Sequence, residues 1–238
     1  MVKPVIELQN VWKIYKMGEE EVAALGGVSL KVEKGEFLII VGPSGSGKST
    51  MMNLVGCLDL PTSGEIYLDG MNIADLRESQ LAEIRGRTIG FVFQEFNLLP
   101  TLDAIGNVML PLEFQDVDSG TARERAKELL ELVGLGDRMN HLPTQLSGGQ
   151  RQRVSIARAM AVDPDIILAD EPTGNLDSKT GQFIMDSLKR IQEEKGKTVV
   201  VVTHDLDLIS AADRVVYLKD GKVEKILSCK KSNRTGKR

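Results

Sequence analysis

An apolar run at residues 37–41 empties directly into Gly42-Pro43-Ser44-Gly45-Ser46-Gly47-Lys48-Ser49, which fits G-x-x-x-x-G-K-[ST]. Glycines at these spacings let successive backbone N–H groups turn inward around anionic oxygens, and the helix-like stretch from Lys48 presents its positive N-terminal end to the same place. Lys48 adds a point charge suited to β- and γ-phosphates, the Ser49 hydroxyl can ligate Mg²⁺, and Thr50 follows at the helix start. A glycine-rich turn alone is usually only a turn. Strand, glycine loop and helix in that order confine the region to an α/β arrangement, and the ligand implied is a nucleoside triphosphate.

The rest of the chain supplies the sheet. Short β-rich runs occur at residues 6–11 and 28–32, residues 64–70 read as a strand closed by an Asp-Gly turn, and residues 88–93 read as another strand. From 102 to 161 the pattern turns helical, with Ala122, Ala126, Leu129, Leu130 and Val133 at three- and four-residue spacing. Strands return at 166–169, 199–203 and 214–218, alternating with a helix around 181–194, and a hairpin at Asp220-Gly221 closes the fold. Such alternation implies a parallel sheet covered on both faces. No internal repeat is present, so the chain has one nucleotide-binding unit, and no linker sets the helical middle apart.

Two further segments carry chemistry. The buried-looking run 166–169 ends in Asp170 and Glu171, placing two carboxylates at the C-terminal end of a strand, where α/β sheets hold ligands. Beside a phosphate loop, Asp170 is suited to hold Mg²⁺ and Glu171 to polarise an in-line water. Leu146-Ser147-Gly148-Gly149-Gln150 precedes a helical stretch and forms a second anion site at a helix N-terminus. With one triphosphate already cradled, this site suits another ligand or another subunit's nucleotide. The plainer alternative is a helix cap on Ser147.

Composition removes competing classes. Five of the 30 basic side chains (Lys230, Lys231, Arg234, Lys237 and Arg238) fall in the last nine residues, while all 34 acidic ones lie before them, so the body is too acidic for a nucleic-acid binder. The basic tail at 228–238 is expected to be disordered. Only two cysteines, Cys57 and Cys229, and two histidines, His141 and His204, are present, which favours a reducing compartment and leaves a structural zinc site few ligands. No apolar run approaches the roughly 18 residues a membrane span needs, and the N-terminus lacks a secretory h-region, so a cytoplasmic location is expected.

The phosphate loop, Gln94 after an apolar strand, Leu-Ser-Gly-Gly-Gln at 146–150, the strand ending Asp170-Glu171, then Asp177 and His204 together resemble the ATPase subunit of an ABC transporter over about residues 5–227. Residues 51–59, 91–99 and 169–177 are similar to the lipoprotein-release and macrolide-export branch. The resemblance implies a P-loop ABC ATPase core (about 1–94 and 163–227), an antiparallel β-subdomain and an inserted α-helical subdomain (about 95–162). It also implies that Tyr15 stacks on adenine, a contact contributing roughly 1–3 kcal/mol. Gln94 then touches Mg²⁺ or the attacking water, His204 contacts the γ-phosphate, and Asp177 lies across a dimer interface; Gly174-Asn175 before it depart from the commoner Ser-Ala. His141 matches nothing catalytic and is assigned to the surface. The implied assembly is a head-to-tail homodimer around two ATP molecules, bound at the inner face of the membrane through a separate transmembrane permease, with the apolar stretch 96–112 as a docking region. A non-transporting relative that works mechanically on a membrane partner shares all these residues. Soluble ABC ATPases of translation carry two cassettes and those of repair a long coiled-coil insertion, and neither feature is present.

Overall fold

The computed structural model describes residues 4–18 and 20–229. The charged part of the basic tail lies outside the described residues.

The chain opens with a hairpin of two long strands, β1 (Pro4–Met17) and β2 (Glu20–Glu33), followed by β3 (Phe37–Val41), α1 (Lys48–Val55), β4 (Ser63–Leu68), β5 (Met71–Asn72), α2 (Glu78–Arg87) and β6 (Ile89–Val92). Three helices come next, α3 (Ala104–Glu113), α4 (Ser119–Leu132) and α5 (Gly148–Ala159). Strand β7 (Ile166–Asp170), helix α6 (Ser178–Lys195), and β8 (Thr198–Thr203), β9 (Arg214–Lys219) and β10 (Lys222–Ser228) complete the order. One sheet is antiparallel, with order β2-β1-β4-β5; the other has order β10-β9-β3-β8-β7-β6, parallel throughout except for the β9–β10 hairpin.

Alternation along β3 explains the layering. Phe37, Ile39 and Val41 belong to one buried cluster, and Leu38 and Ile40 to the other, because successive strand side chains point to opposite faces. The first face is covered by α3–α6, with Ala122, Ala126, Leu129 and Leu130 of α4 buried as their spacing predicts. The second is covered by α1, α2 and the antiparallel sheet, through Met51, Leu54, Leu81, Ile6, Leu30 and Ile66. Asp103, Asp118 and Asp177 cap α3, α4 and α6 by accepting from backbone N–H groups of the first turn.

Several sequence expectations need adjustment. The helical middle is broken into three helices. Helix α2, which no periodicity in the sequence announces, buries only Leu81 and Ile84, too few to print a clear 3.6-residue pattern. The first hairpin extends well past the apolar runs, since Glu20 to Ala23 are exposed and the extension is held by pairing such as Tyr15 with Val22. His141 lies at the surface, partly covered, its ring 3.2 Å from the Arg138 guanidinium and its carbonyl accepting from the Ala104 N–H.

Candidate functional site

Strand β3 is buried along its whole length and delivers the glycine loop to the C-terminal edge of the parallel strands. Gly47 caps α1 with φ at 99°, and a Cβ there would lie 2.4 Å from the Ala24 carbonyl, so only glycine lets the loop pass this close to β2. Lys48 is almost fully buried, and its ammonium donates to the Gly42 carbonyl at 2.8 Å and the Pro43 carbonyl at 3.0 Å. Ser46 is buried as well, and its Oγ has no hydrogen-bond partner among the described residues. A buried hydroxyl in that state is costly, and a ligand oxygen in the loop relieves it.

Beside the loop, the Ser49 hydroxyl donates to Asp170 Oδ1 at 3.5 Å. Burial pushes the Asp170 carboxyl above its ordinary pKa and the neighbouring Glu171 charge adds to this, while the Ser49 hydrogen bond and Lys48 pull it back. Glu171 adopts a left-handed backbone, φ 45°, with its N–H on the Val202 carbonyl at 2.9 Å. That turn brings Glu171 Oε1 to 3.0 Å from His204 Nδ1, and Thr203 Oγ1 donates to Oε2 at 3.2 Å. The carboxylate is the sheltered member of the pair, 15% exposed against 67% for the imidazole. Gln94, just beyond β6, exchanges contacts with Asn175: Asn175 Nδ2 donates to the Gln94 carbonyl at 3.1 Å, and Gln94 Nε2 reaches Asn175 Oδ1 at 3.5 Å.

Tyr15 stands near the end of β1 and is too exposed to be a core tyrosine. Its hydroxyl donates to Asp59 Oδ2 at 3.1 Å and Lys13 lies 5.0 Å from the ring centroid, so ring and carboxylate fix each other's position. A cleft of about 830 Å³ runs from Tyr15 past Pro43, Ser44, Gly45, Gly47, Lys48, Ser49 and Thr50 to Gln94, Glu171 and His204. Gly42 and Ser46 lie in the loop beneath it, and Asp170 joins through Ser49.

Ser147, Gly148, Gly149, Gln150 and Asp177 form a separate group. Ser147 caps α5: its Oγ accepts from the Gln150 N–H at 3.3 Å, and its own N–H donates to Gln150 Oε1 at 2.8 Å. A Cβ on Gly149 would meet Thr180 Cγ2 at 2.3 Å, so the helix start packs on α6 only as glycine. Thr180 in turn donates to Asp177 through its hydroxyl at 2.6 Å, and this hydrogen bond, with those from backbone N–H groups, holds the Asp177 carboxyl below its ordinary pKa. Within one chain the cap and the packing account for this segment's residue types, and the segment does not line the phosphate cleft.

Sequence reasoning missed three members of the site. Asn175 shows in the sequence only as a departure from a pattern, Asp59 carries no signal, and Thr203 is the polar residue that follows the apolar run Val199–Val202, which is the available clue.

The family model for the ABC transporter matches residues 25–174. The chain belongs to the ABC transporter family. This ABC protein is 57% identical over 224 residues to the uncharacterized ABC transporter ATP-binding protein MJ0796 of Methanocaldococcus jannaschii, covering 92% of this chain and 95% of that one. A solved structure of the ATP-binding cassette MJ0796, dimeric and in a post-hydrolysis state bound to ADP and Pi, superposes with TM-score 0.87 at 54% identity, covering 94% of this chain and 98% of that one. The macrolide export ATP-binding/permease protein MacB of Syntrophobacter fumaroxidans is 50% identical over 221 residues, which are 92% of this chain and 31% of that protein. The fold is that of an ABC ATPase, and the protein is an ATP-binding, ATP-hydrolysing subunit of that family.

Proposed function

We propose that this ABC ATPase hydrolyses ATP in a head-to-tail dimer, with Mg²⁺, to drive a separate transmembrane permease of the lipoprotein-release or macrolide-export type. The observation that carries the reading is the division of the candidate residues into two groups. The phosphate loop, the Glu171–His204 pair, Gln94 and Tyr15 share one cleft, whereas Ser147–Gln150 and Asp177 form a patch outside it. Two copies placed head to tail let the patch of one close the cleft of the other. The dimeric MJ0796 structure and the permease joined to a similar module in MacB support this assembly. It places the protein on the inner face of a membrane through its partner; among the described residues no helix is long and apolar enough to cross one.

In this reading Lys48 exchanges the Gly42 and Pro43 carbonyls for β/γ-phosphate oxygens, and the loop N–H groups with Ser46 bind the rest. Tyr15 stacks on adenine. Glu171 accepts the proton of the attacking water at a carboxylate oxygen, and His204 with Thr203 holds that carboxylate in place. The donor set fits magnesium. Ser49 Oγ, Asp170 and the Gln94 side-chain oxygen would hold it, hard oxygen donors of the kind magnesium takes together with waters and phosphates. When bound, Mg²⁺ neutralises charge developing on the phosphate oxygens. Residues 1–94 and 163–227 serve as the core, and 95–162, whose helices share the core cluster of one sheet face, as the inserted helical part.

Tagged heterodimers test the shared site. With Lys48→Ala in one chain and Ser147→Arg in the other, both lesions fall in one composite site and the second site stays intact. With both lesions in one chain, each site receives one. Single-turnover ATP cleavage should therefore survive the separated arrangement and vanish in the combined one. The reverse result refutes sites built from two chains. A neighbouring reading frame for a membrane protein with few spans and a large external domain supports the branch, and a permease of another architecture refutes it.

A further inference from the structure

Phe96 and Asn97, directly after the Gln94 turn, are consecutive non-glycine residues with left-handed backbone, φ 62° and 48°. Asparagine tolerates this region; phenylalanine, with its bulk close to the preceding carbonyl, does so only where the surroundings enforce it. The enforcing group is on α5. Arg158, in the last turn of that helix, donates from Nη2 to the Phe96 carbonyl at 2.8 Å and from Nη1 to the Asn97 carbonyl at 2.5 Å. Burial lowers the Arg158 pKa, and no carboxylate pairs with it among the described residues, so its planar fork is given over to these two oxygens. The other end of α5 holds the same turn from its side-chain face. The Phe96 ring lies 5.1 Å from the Arg151 guanidinium, and its Cζ is 3.9 Å from where a Cβ on Gly148 would stand. A single helix thus grips both the ring and the carbonyls of a turn two residues from Gln94.

We propose that Arg158 is a positioning residue: by bridging the Phe96 and Asn97 carbonyls it holds the left-handed turn and so sets where Gln94 stands in the nucleotide cleft. This rests on the reading of Gln94 as a contact of Mg²⁺ or attacking water. A helix whose start carries Ser147 is then mechanically tied to Gln94 in the nucleotide cleft, and a displacement of α5 is passed to Gln94 through two hydrogen bonds rather than through loose packing.

The test compares Arg158→Met, Arg158→Lys and Gln94→Ala in the full chain by two measurements. The first is hydrogen exchange of the 94–98 backbone without nucleotide; the second is the Mg²⁺ concentration giving half-maximal ATPase. Arg158→Met should speed exchange in 94–98 by roughly tenfold or more while residues 166–170 stay protected. It should also raise the Mg²⁺ requirement in the same direction as Gln94→Ala and add little in the Gln94→Ala background. Arg158→Lys, whose ammonium cannot reproduce the fork, should fall between wild type and Met on both scales, and it serves alone if the Met variant does not fold. Unchanged exchange in 94–98 overturns the proposal. A Mg²⁺ shift in Gln94→Ala with none in Arg158→Met overturns the link to Gln94. If Gln94→Ala itself shifts nothing, the assignment of Gln94 fails, the functional half of the proposal falls with it, and exchange alone then judges the hold on the turn.

Discussion

Replacing Glu171 by glutamine removes a base while preserving every contact the side chain makes. Glu171 Oε2 accepts from the Thr203 hydroxyl and Oε1 stands 3.0 Å from His204 Nδ1. The amide can turn its oxygen to Thr203 and its NH₂ to Nδ1, with the ring proton on Nε2, while Thr203 goes on accepting from the Asp205 N–H. Folding stability should therefore change by no more than about 0.5 kcal/mol, the range of a substitution that leaves packing and hydrogen bonds intact. A general base contributes about 10²–10⁴-fold, which at 1.36 kcal/mol per tenfold raises the barrier by about 3–5 kcal/mol. Single-turnover cleavage of ATP should fall by that factor, nucleotide affinity should hold, and sedimentation should show a dimer that accumulates with ATP. Cleavage within tenfold of wild type in a protein of unchanged Tm refutes the assignment of Glu171 as base. Loss of ATP binding instead makes the residue structural.

Lys48→Ala should abolish ATP binding in calorimetry and also lower the Tm of the nucleotide-free protein, because the Gly42 and Pro43 carbonyls lose their donor, a loss of about 1–2 kcal/mol. Arg214→Met strips Glu36, whose side chain is 9% exposed, of a two-pronged partner at 2.7 and 3.0 Å, and should lower stability by about 3 kcal/mol in urea titration, with most of it restored by adding Glu36→Leu. Asp170 carries a pH signature. Its native pKa is raised, so its charge opposes folding above that pKa, and the penalty fades as pH falls toward the ordinary value of 3.8. Asp170→Asn should thus raise the Tm of the nucleotide-free protein at neutral pH, with the gain vanishing in acid, while the ATPase demands far more Mg²⁺.

What could be read in the sequence was whatever follows a short-range rule. The run 37–41 reads as a buried strand because all five residues are apolar, and the loop after it because its chemistry needs glycine at fixed places. The α4 face was legible from spacing alone. Helix α2 was not, since two buried residues make no stripe, and neither was the outer hairpin, whose polar residues are β because their partners are. Within the site, the approach of His204 to Glu171 depends on β7 and β8 lying side by side, a relation no local pattern encodes. The resemblance supplied His204, Gln94 and Tyr15, but nothing in the chain announced that Phe96 is left-handed, because that conformation is imposed by an arginine far along the sequence. Ser147 was open to two readings, and its cap is present in the single chain whatever it does for a partner.

The position of β3 also governs the order in which the molecule can be made. Among the described residues its ladder neighbours are β8 and β9, with Leu38 paired to Val200 on one side and Arg214 on the other. The strand that carries the phosphate loop is synthesised early and its neighbours late, so a nascent chain halted before residue 198 has no ladder on which to seat it. The first hairpin can form from its own neighbouring strands, but β3 and its loop are seated only once β8 and β9, which begin at residues 198 and 214, have emerged. The pairing of β3 is thus a long-range closure, of the kind expected to form slowly and to leave apolar strands uncovered in the meantime. During that interval the run 37–41 is five consecutive apolar residues without a sheet, a segment of a growing chain that needs protection.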